Sequence, residues 1–291
     1  MCRFTMYLGP PVRISTLLIE PDHSLIRQSF KAQERAEPLN GDGFGVGWYN
    51  PSLSEEPGVF RAVTPAWNNR NLESLARVVG SPCVLAHVRA ATPGMAVNEA
   101  NCHPFQDGKY LLMHNGHVGS FSTVRRRILE TLTDEAFGIL QGNTDSEHLF
   151  ALFVDEIRRH GGEDPGRCMA ECLNRAVYRV LALVRDYGNG DPSFLNIAVS
   201  DGDHACACRF TDHPATPPES LYYITRALYP PAWPDSPGRR KHERSSTVMV
   251  SSERLTDHEE WSEVPPNHLL RIDRDAEPTL YRMDPEGLNA A

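Results

Sequence analysis

The chain has 291 residues, of which 40% are hydrophobic and 23% are charged, and its formal net charge is −9. This acidic balance argues against nucleic acid as the main partner, because phosphate binding usually requires a basic surface. No apolar run is long enough to span a membrane, and the first residues lack the basic start and apolar stretch of a signal peptide. We therefore expect a cytoplasmic protein with a small-molecule substrate, organised as one domain over residues 1–291.

Short strand-like runs, rich in β-branched and aromatic residues, dominate the first 115 residues. They are CRFTMYL, FGVGWY, VFRAV, CVLAHVRA and KYLLMHN. Apolar spacing then predicts three amphipathic helices, at residues 123–132, 145–160 and 168–184. Further strands follow in FLNIAVS, HACACRF, LYYIT, STVMVSS and HLLRID, and Asp201-Gly202 predicts a hairpin turn between the first two of them.

This order of strands, helices and strands fits two sheets covered by helices better than a parallel α/β fold, in which the two element types alternate. Residues 230–246, rich in proline and charge, predict a flexible loop within the domain. The glycines of NGDGFGVGWY, residues 40–49, indicate a strand that another part of the backbone approaches closely. This segment lacks the lysine and the helix of a phosphate-binding loop.

The cysteines are seven, an odd number, and they are scattered along a chain without a secretory signal, so we expect free thiols in a reducing compartment. Cys2 is distinctive because its small side chain permits removal of Met1, which leaves a thiol and a free α-amine on one residue. An α-amine has an ordinary pKa of about 7.7–8.0 and can accept the thiol proton near neutrality. The alternative is a small apolar residue that starts the first strand, which is the more common situation for a cysteine.

Two strand ends favour the catalytic interpretation of Cys2. Arg89 ends the strand in HVRAAT, where a fixed guanidinium can hold a substrate carboxylate through two parallel hydrogen bonds. Asn115 and Gly116 end the strand in MHNG, where they can offer two N–H donors to a developing oxyanion.

A helix start adds a carboxylate. Thr144 and Glu147 in NTDSE have capping-box spacing, which leaves Asp145 to face outward or to bind an ammonium group. Each candidate also has an ordinary structural interpretation: Arg89 as a surface ion pair, Asn115-Gly116 as a hairpin turn, and Asp145 as a partner of the helix dipole. The order of these motifs along the chain is what favours a catalytic site.

That order, Cys2 followed by RAAT, HNG and TDSE, resembles the class II glutamine amidotransferases, which are N-terminal-nucleophile hydrolases. The resemblance implies an α+β fold, a four-layer αββα sandwich of two mainly antiparallel sheets. Carried over by position, it implies Cys2 as nucleophile, Arg89 and Thr92 as binders of the α-carboxylate, Asn115 and Gly116 as oxyanion hole, and Asp145 as binder of the α-ammonium group.

Two positions depart from many synthase-linked members of that family. An aromatic residue usually follows the arginine and a histidine follows the threonine, whereas this chain has Ala90 and Pro93. We therefore expect a different lid over the substrate. The glutaminase unit occupies essentially the whole sequence, so ammonia transfer to a synthase domain within this chain is not expected.

Three segments narrow the resemblance to stand-alone members. TPAWNNRNL, NCHPF and QGNTDSEH are similar to the Dug-type glutathione-degradation subunit, and the MCR start is shared with the ergothioneine-pathway γ-glutamyl amidohydrolase. These resemblances imply hydrolysis of a γ-glutamyl amide in glutathione or a related sulfur compound, through a thioester on Cys2. They imply no cofactor, and the Dug-type resemblance implies a metallopeptidase-like partner. The alternatives are a glutaminase that supplies ammonia to a partner and a catalytically silent γ-glutamyl-binding or scaffold subunit.

A metal-dependent hydrolase is a further alternative, suggested by Cys206 and Cys208 in HACAC and by residues 101–103. Neither segment has the C-x2-C or H-E-x-x-H spacing of common metal sites. Strand alternation explains Cys206 and Cys208, and helical spacing explains Cys168 and Cys172. We therefore predict no metal site.

Overall fold

The computed structural model describes residues 2–34, 38–91, 97–225, 247–257, 260–273 and 277–290. The flexible loop predicted at 230–246 and the candidate Thr92 lie outside these ranges. Among the described residues, no helix is both long and apolar enough to cross a membrane.

The described strands form two antiparallel sheets of seven strands each. In spatial order, the first sheet contains β11 (Ser262–Glu263), β9 (Tyr222–Thr225), β10 (Val248–Ser251), β1 (Arg3–Arg13), β4 (Gly80–Val88), β2 (Phe44–Trp48) and β3 (Gly58–Ala62). The second contains β14 (Gly287–Ala290), β13 (Thr279–Asp284), β12 (His268–Asp273), β8 (His204–Thr211), β7 (Phe194–Ser200), β6 (Tyr110–His117) and β5 (Phe105–Asp107).

Helices cover the outer faces of both sheets. The first sheet is covered by α1 (Ile14–Leu18), α2 (Leu25–Lys31) and α3 (Arg70–Val78), and the second by a layer of α4 (Phe121–Thr131), α5 (Asp134–Phe137), α6 (Asp145–Arg159) and α7 (Pro165–Tyr187). Short 3-10 turns occur at Ala66–Asn68 and Glu99–Asn101. The layers confirm the predicted αββα arrangement.

The three predicted helices are present, with ends shifted by at most three residues. The start of α7 precedes the predicted one because Asp164 caps it, accepting a hydrogen bond from Arg167 N, and Pro165 occupies the first helical position. The helices α1, α2 and α3 were not predicted. Two of them have seven residues or fewer, too short for a clear apolar period.

Strand alternation determines which side chains face the space between the sheets. On β6, Leu111 and Met113 belong to the core between the sheets, and Asn115 is the next position on that face. On β4, Cys83 and Leu85 also belong to the core between the sheets, and the alternation continues to Arg89 just beyond the strand. The sheets therefore place these two candidate residues on facing inner surfaces.

The glycines of β2 permit a close approach from the other half of the molecule. A Cβ atom on Gly45 would lie 2.1 Å from the carbonyl oxygen of His103, and one on Gly47 would lie 2.4 Å from Leu111 Cδ1. The first contact is with backbone and leaves no room for a side chain at Gly45, which confirms the predicted close approach. The segment that contains His103 therefore packs directly on β2.

Candidate active site

Cys2 lies at the start of β1, beside the end of β4. Its Sγ accepts a hydrogen bond from Ala90 N at 3.4 Å and lies 3.6 Å from the Ala90 carbonyl oxygen. The antiparallel register, with Arg3 opposite Val88, brings these two strand ends together. The Cys2 side chain is half-buried, so its thiol lies at the boundary between the core and the surface.

The backbone around Arg89 is held by the glycine-rich segment. Arg89 N donates to Gly43 O at 2.8 Å, and Arg89 O accepts from Asp42 N at 3.0 Å. The Asp42 carboxylate also accepts from Ala91 N at 2.8 Å. The Arg89 side chain is only 3% exposed. Asp42 thus fixes the chain on both sides of the contact with the Cys2 thiol, a function that no sequence motif indicated.

Asn115 presents a buried amide with unused hydrogen-bonding capacity. It is 0% exposed, and neither its Oδ1 nor its Nδ2 has a hydrogen-bond partner within the described part of the chain. A buried amide in this condition costs about 1–3 kcal/mol. An oxyanion would give the Nδ2 donor the acceptor that it lacks among those residues.

The neighbouring Gly116 cannot be replaced without moving the backbone. Its φ is 148°, a region that L side chains rarely adopt, and a Cβ atom would lie 1.8 Å from Phe194 O on β7. Glycine therefore allows β6 and β7 to remain paired at the predicted oxyanion site.

Asp145 is the first residue of α6, and its carboxylate is partly used by the backbone. Oδ2 accepts from Val118 N at 2.9 Å, and Oδ1 accepts from Ser146 N at 2.8 Å. The first bond ties α6 to the segment that follows β6, so Asp145 and Gly116 belong to one connected part of the structure. The remaining lone pairs of a half-buried carboxylate suit an ammonium group.

The predicted capping box at this helix start is half correct. The Thr144 hydroxyl accepts from Glu147 N at 3.2 Å, as predicted. The Glu147 carboxylate, however, accepts from Gln141 N and Gly142 N and holds the loop before the helix. Turning that carboxylate toward the loop satisfies two backbone donors, whereas the reciprocal cap would satisfy one.

Two asparagines connect this loop to the segment just before Cys102. Asn101 Nδ2 donates to Asn143 Oδ1 at 3.0 Å, and Asn143 N donates to Asn101 Oδ1 at 3.1 Å. Asn101 is fully buried and stands directly before Cys102. Sequence reasoning did not identify this pair, because nothing in the sequence relates positions 101 and 143.

His114 joins β6 to the start of α6. Its Nε2 lies 3.3 Å from Phe194 O, and its Nδ1 lies 2.9 Å from Ser146 Oγ. Burial lowers the pKa of His114 and outweighs the opposite effect of the Asp145 charge. A neutral imidazole that donates from Nε2 to the carbonyl and accepts at Nδ1 from the Ser146 hydroxyl fits both contacts.

Two further histidines, His87 and His103, are buried at this end of the core. The rings of His87 and His103 lie 4.1 Å apart between centroids. Burial lowers the pKa of His87 to about 3 and that of His103 well below its ordinary value, and the Arg89 charge acts in the same direction on both. Burial also raises the pKa of the Cys102 thiol, an effect that Arg89 partly offsets. A positive charge in such surroundings suits a carboxylate ligand.

The strands and helices bring five of the six predicted residues to one end of the sandwich. Cys2 meets the Arg89 strand end through Ala90, and β4 meets β6 through a bond from His87 Nε2 to His114 O at 3.3 Å. His114 in turn contacts Ser146, beside Asp145. The sixth residue, Thr92, lies outside the described ranges, and the assigned roles remain predictions.

No group of three or more His, Cys, Asp or Glu side chains is arranged to hold a metal ion within the described ranges. Cys206 and Cys208 lie on β8 and face the helix layer, and Cys172 lies in the same core on α7. The alternation and helical-spacing interpretation of these cysteines is therefore confirmed.

Comparison with known proteins identifies the family. A model of the class-II glutamine amidotransferases matches residues 19–286. The chain belongs to this family, which confirms the class of enzyme that the order of its motifs predicts.

Individual relatives are similar over nearly the whole chain. The chain is 38% identical over 296 residues to the probable glutamine amidotransferase DUG3 of Saccharomyces cerevisiae, with 94% of this chain and 82% of the yeast protein covered. It is 29% identical over 281 residues to the gamma-glutamyl-hercynylcysteine sulfoxide hydrolase of Mycolicibacterium smegmatis, with 95% and 97% covered.

Solved structures share the fold. A glutamine aminotransferase class-II domain protein from Silicibacter pomeroyi superposes with a TM-score of 0.65 at 28% identity, covering 98% of this chain and all of that one. The glutamine phosphoribosylpyrophosphate amidotransferase of Bacillus subtilis gives 0.60 at 13% identity, over 98% of this chain and 49% of that chain. The second likeness concerns the fold alone.

Proposed function

We propose that this chain hydrolyses a γ-glutamyl amide bond in glutathione or a related γ-glutamyl sulfur compound, with Cys2 as the nucleophile. The observation that carries the proposal is the contact of Cys2 Sγ with Ala90 N, next to Arg89 and at the same end of the sandwich as the buried amide of Asn115. The proposed nucleophile, carboxylate binder and oxyanion donor thus lie at strand ends on one end of the sandwich, which supports these roles.

The glutamyl group would be recognised by its two charges. Arg89 and Thr92 would bind the α-carboxylate, and Asp145 would bind the α-ammonium group through the lone pairs that its backbone contacts leave available. The buried position of Arg89 makes its charge effective, because little water screens it. These contacts fix the γ-carbonyl carbon relative to Cys2.

The first chemical step forms a thioester. The Cys2 α-amine takes the thiol proton, the thiolate attacks the γ-carbonyl carbon, and a tetrahedral oxyanion develops. Asn115 Nδ2 and the Gly116 backbone would donate hydrogen bonds to that oxyanion. The C–N bond then breaks, the Cys2 ammonium protonates the leaving amine, and a γ-glutamyl thioester remains on Cys2.

The second step releases glutamate. A water molecule transfers a proton to the Cys2 amine and attacks the thioester carbonyl, and a second oxyanion forms at the same donors. The C–S bond breaks, and the thiolate recovers its proton. Both steps need the α-amine of Cys2, so the proposal requires removal of Met1, which lies outside the described residues.

The name of one relative favours a sulfur-containing γ-glutamyl substrate, because that relative is a gamma-glutamyl-hercynylcysteine sulfoxide hydrolase. None of the seven cysteines forms a disulfide, which suits a reducing compartment such as the cytoplasm. A metallopeptidase-like partner, as predicted from the Dug-type resemblance, belongs to the same proposal.

Two other functions compete with it. A glutaminase that supplies ammonia to a partner would use the same residues on glutamine, and the name of DUG3 as a glutamine amidotransferase favours this alternative. A silent γ-glutamyl-binding subunit would keep Arg89 and Asp145 but show no turnover.

The test combines intact mass with glutamate release from glutamine, glutathione and a γ-glutamyl cysteine sulfoxide conjugate. We expect a mass without Met1, faster release from the sulfur compounds than from glutamine, and no release by Cys2→Ala. Cys168→Ala is the matched control, because Cys168 is a half-buried thiol in the helix layer and should leave turnover unchanged.

Each alternative has its own outcome. Preference for glutamine supports the glutaminase. Binding of the γ-glutamyl compounds without release, by protein that has lost Met1, supports the silent subunit. Undiminished release by Cys2→Ala would refute the mechanism.

A further inference from the structure

A buried ion pair lies directly behind the first residue of the proposed site. The Arg3 side chain is 0% exposed and Glu253 is 1% exposed, and Arg3 Nε donates to Glu253 Oε1 at 2.7 Å. Arg3 belongs to β1, and Glu253 follows β10, the neighbouring strand. A well-packed apolar pair is often at least as stable as a buried ion pair, so stability gives little reason for these charges.

The guanidinium of Arg3 holds backbone oxygens as well as the carboxylate. Nη1 donates to the Cys2 carbonyl oxygen at 3.0 Å, and Nη2 donates to Glu34 O at 3.3 Å. Each of its three nitrogens therefore has a hydrogen-bonding partner in a different part of the chain. The planar guanidinium donates to these three partners from three different nitrogens, whereas a lysine has a single nitrogen.

Glu253 is fixed from the other side. Its carboxylate lies 2.7 Å from His23 Nε2 and accepts from Gln33 N at 2.9 Å and Glu34 N at 3.2 Å. Burial alone would raise the pKa of Glu253, but the bonds from His23, Gln33 and Arg3 lower it to about 2. The carboxylate is therefore charged at neutral pH and gives Arg3 a fixed anchor.

Cys2 and Arg3 extend to opposite faces of the first sheet. Phe4 and Met6 face the space between the sheets, and by alternation Cys2 faces the same way, whereas Arg3 faces the outer side. Arg3 can thus bind the Cys2 carbonyl oxygen from the outer side of the sheet without entering the proposed substrate site.

A hydrogen bond to the main chain is especially important for orienting an N-terminal residue. After removal of Met1, a single peptide bond connects Cys2 to the rest of the chain, and rotation about its Cα–C bond moves both the amine and the thiol. Arg3 fixes the carbonyl, and Ala90 contacts Sγ. With the carbonyl and the sulfur both held, the direction of the α-amine is determined.

We propose that the Arg3–Glu253 pair is a positioning device, which orients the Cys2 main chain so that its α-amine can exchange protons with the thiol and the leaving amine. The inference rests on the proposed function, because it assumes that this amine is the catalytic base. Arg3 acts through Cys2 and does not touch the substrate.

The first test measures the intact mass, the melting temperature and the steady-state kinetics of two variants. Arg3→Lys keeps the charge but replaces the planar guanidinium with a single ammonium nitrogen. The double variant Arg3→Met with Glu253→Gln removes both charges together, so that no unpaired charge stays buried. In folded protein we expect kcat to fall by about 100-fold, the effect of a misplacement near 1 Å. The KM should stay within about twofold, because Arg89 and Asp145 are unchanged.

The second readout does not depend on turnover. Alkylation of the Cys2 thiol by iodoacetamide at pH 7, followed by peptide mass spectrometry, should be slower in both variants, because a displaced amine no longer accepts the thiol proton. The matched control is Arg179→Met with Asp155→Asn, which removes a similar pair between α7 and α6, 2.6 Å apart in the helix layer. That control should retain the wild-type kcat and Cys2 reactivity.

Folded variants with wild-type kcat and wild-type alkylation overturn the inference, and so does a raised KM with unchanged kcat. If the unaltered protein releases no glutamate from any γ-glutamyl compound, the proposed function fails. The alkylation rates then still decide whether Arg3 and Glu253 position Cys2.

Discussion

The two ends of the sandwich treat their buried polar groups differently. At one end, the Tyr49 hydroxyl lies 2.8 Å from Lys109 O and 2.9 Å from Ser200 O, and Lys109 Nζ pairs with Asp201 at 2.9 Å. At the other end, Asn115 is fully buried, and its amide has no partner within the described ranges. The first end uses the Tyr49 hydroxyl to join the two sheets, whereas the second contains a buried amide that no described residue satisfies.

The difference shows where unpaired buried polar groups lower the stability of the fold. An unpaired buried amide or imidazole is unfavourable by about 1–3 kcal/mol, and a fold without a ligand to bind gains nothing from it. His103 repeats the pattern: it is 3% exposed, and neither ring nitrogen has a partner within the described residues. The unpaired groups at the end that contains Cys2 therefore support the proposal that a ligand binds there, whereas the paired groups at the opposite end join the sheets.

Replacement of Asn115 should give the largest effect. Asn115→Ala removes a predicted oxyanion donor, so we expect kcat to fall by about 10²–10³-fold. Stability to urea should hardly change, because loss of the unpaired amide offsets the lost packing. Steady-state kinetics and urea unfolding measure the two quantities.

Asn174→Ala is the matched control for that prediction. Asn174 is buried on α7 and donates to Asp284 O at 2.9 Å. It should show the reverse pattern, an unchanged kcat and a loss of about 1 kcal/mol in stability. A kcat of Asn115→Ala within threefold of the wild type would remove Asn115 from the site.

Lowering the pH should give the next largest effect, a decrease in the free energy of unfolding that arises at the Cys2 end. The folded-state pKa of His87 is lowered to about 3 from an ordinary 6.5, so the unfolded chain binds more protons between these values. The stabilising effect of the neutral ring is complete above pH 6.5 and is lost as the pH falls toward 3. For His87 the loss is about 2 kcal/mol between pH 7 and pH 5.

His87→Gln keeps an amide donor for the His114 carbonyl but cannot titrate in this range. We expect its urea-unfolding free energy to depend less on pH between 7 and 5 than that of the wild type. His268→Gln, at the surface end of β12, serves as the control and should keep the wild-type pH dependence. Equal pH dependence in His87→Gln and the wild type would contradict the assignment.

Replacement of Lys109 should give the smallest effect. The pair with Asp201 is partly exposed, with the Lys109 side chain 46% accessible, so Lys109→Ala should cost at most about 1 kcal/mol of stability. Because this end is remote from Cys2, kcat should not change. Thermal unfolding and glutamate release test both statements, and a large loss of turnover would erase the distinction between the two ends.

Short motifs predicted the residues of the candidate site but not the contacts that support those residues. The residue types at Cys2, Arg89, Asn115 and Asp145 carry their own chemical meaning, and each stands at a strand or helix end that local patterns predict. Asp42 carries none, because its effect depends on backbone groups near residue 90, and only the folded sheet brings these segments together.

Element boundaries were missed where local signals conflict. The first strand was predicted to end at Leu8, yet β1 continues to Arg13 through a register irregularity between Leu8 and Val12. Two prolines in that stretch argue against a strand, although a bulge tolerates them. The hairpin of β13 and β14 was not predicted either, because its residues are mostly half-exposed and lack an apolar alternation.

The position of β1 in the interior of its sheet has a consequence for biosynthesis. One of its neighbours, β4, follows within the first third of the chain, but the other, β10, begins only at Val248. A ribosome therefore delivers the proposed nucleophile Cys2 long before the strand that secures its neighbour Arg3. Pairing between such distant segments is slow to form, so Cys2 emerges well before the contacts that would position it.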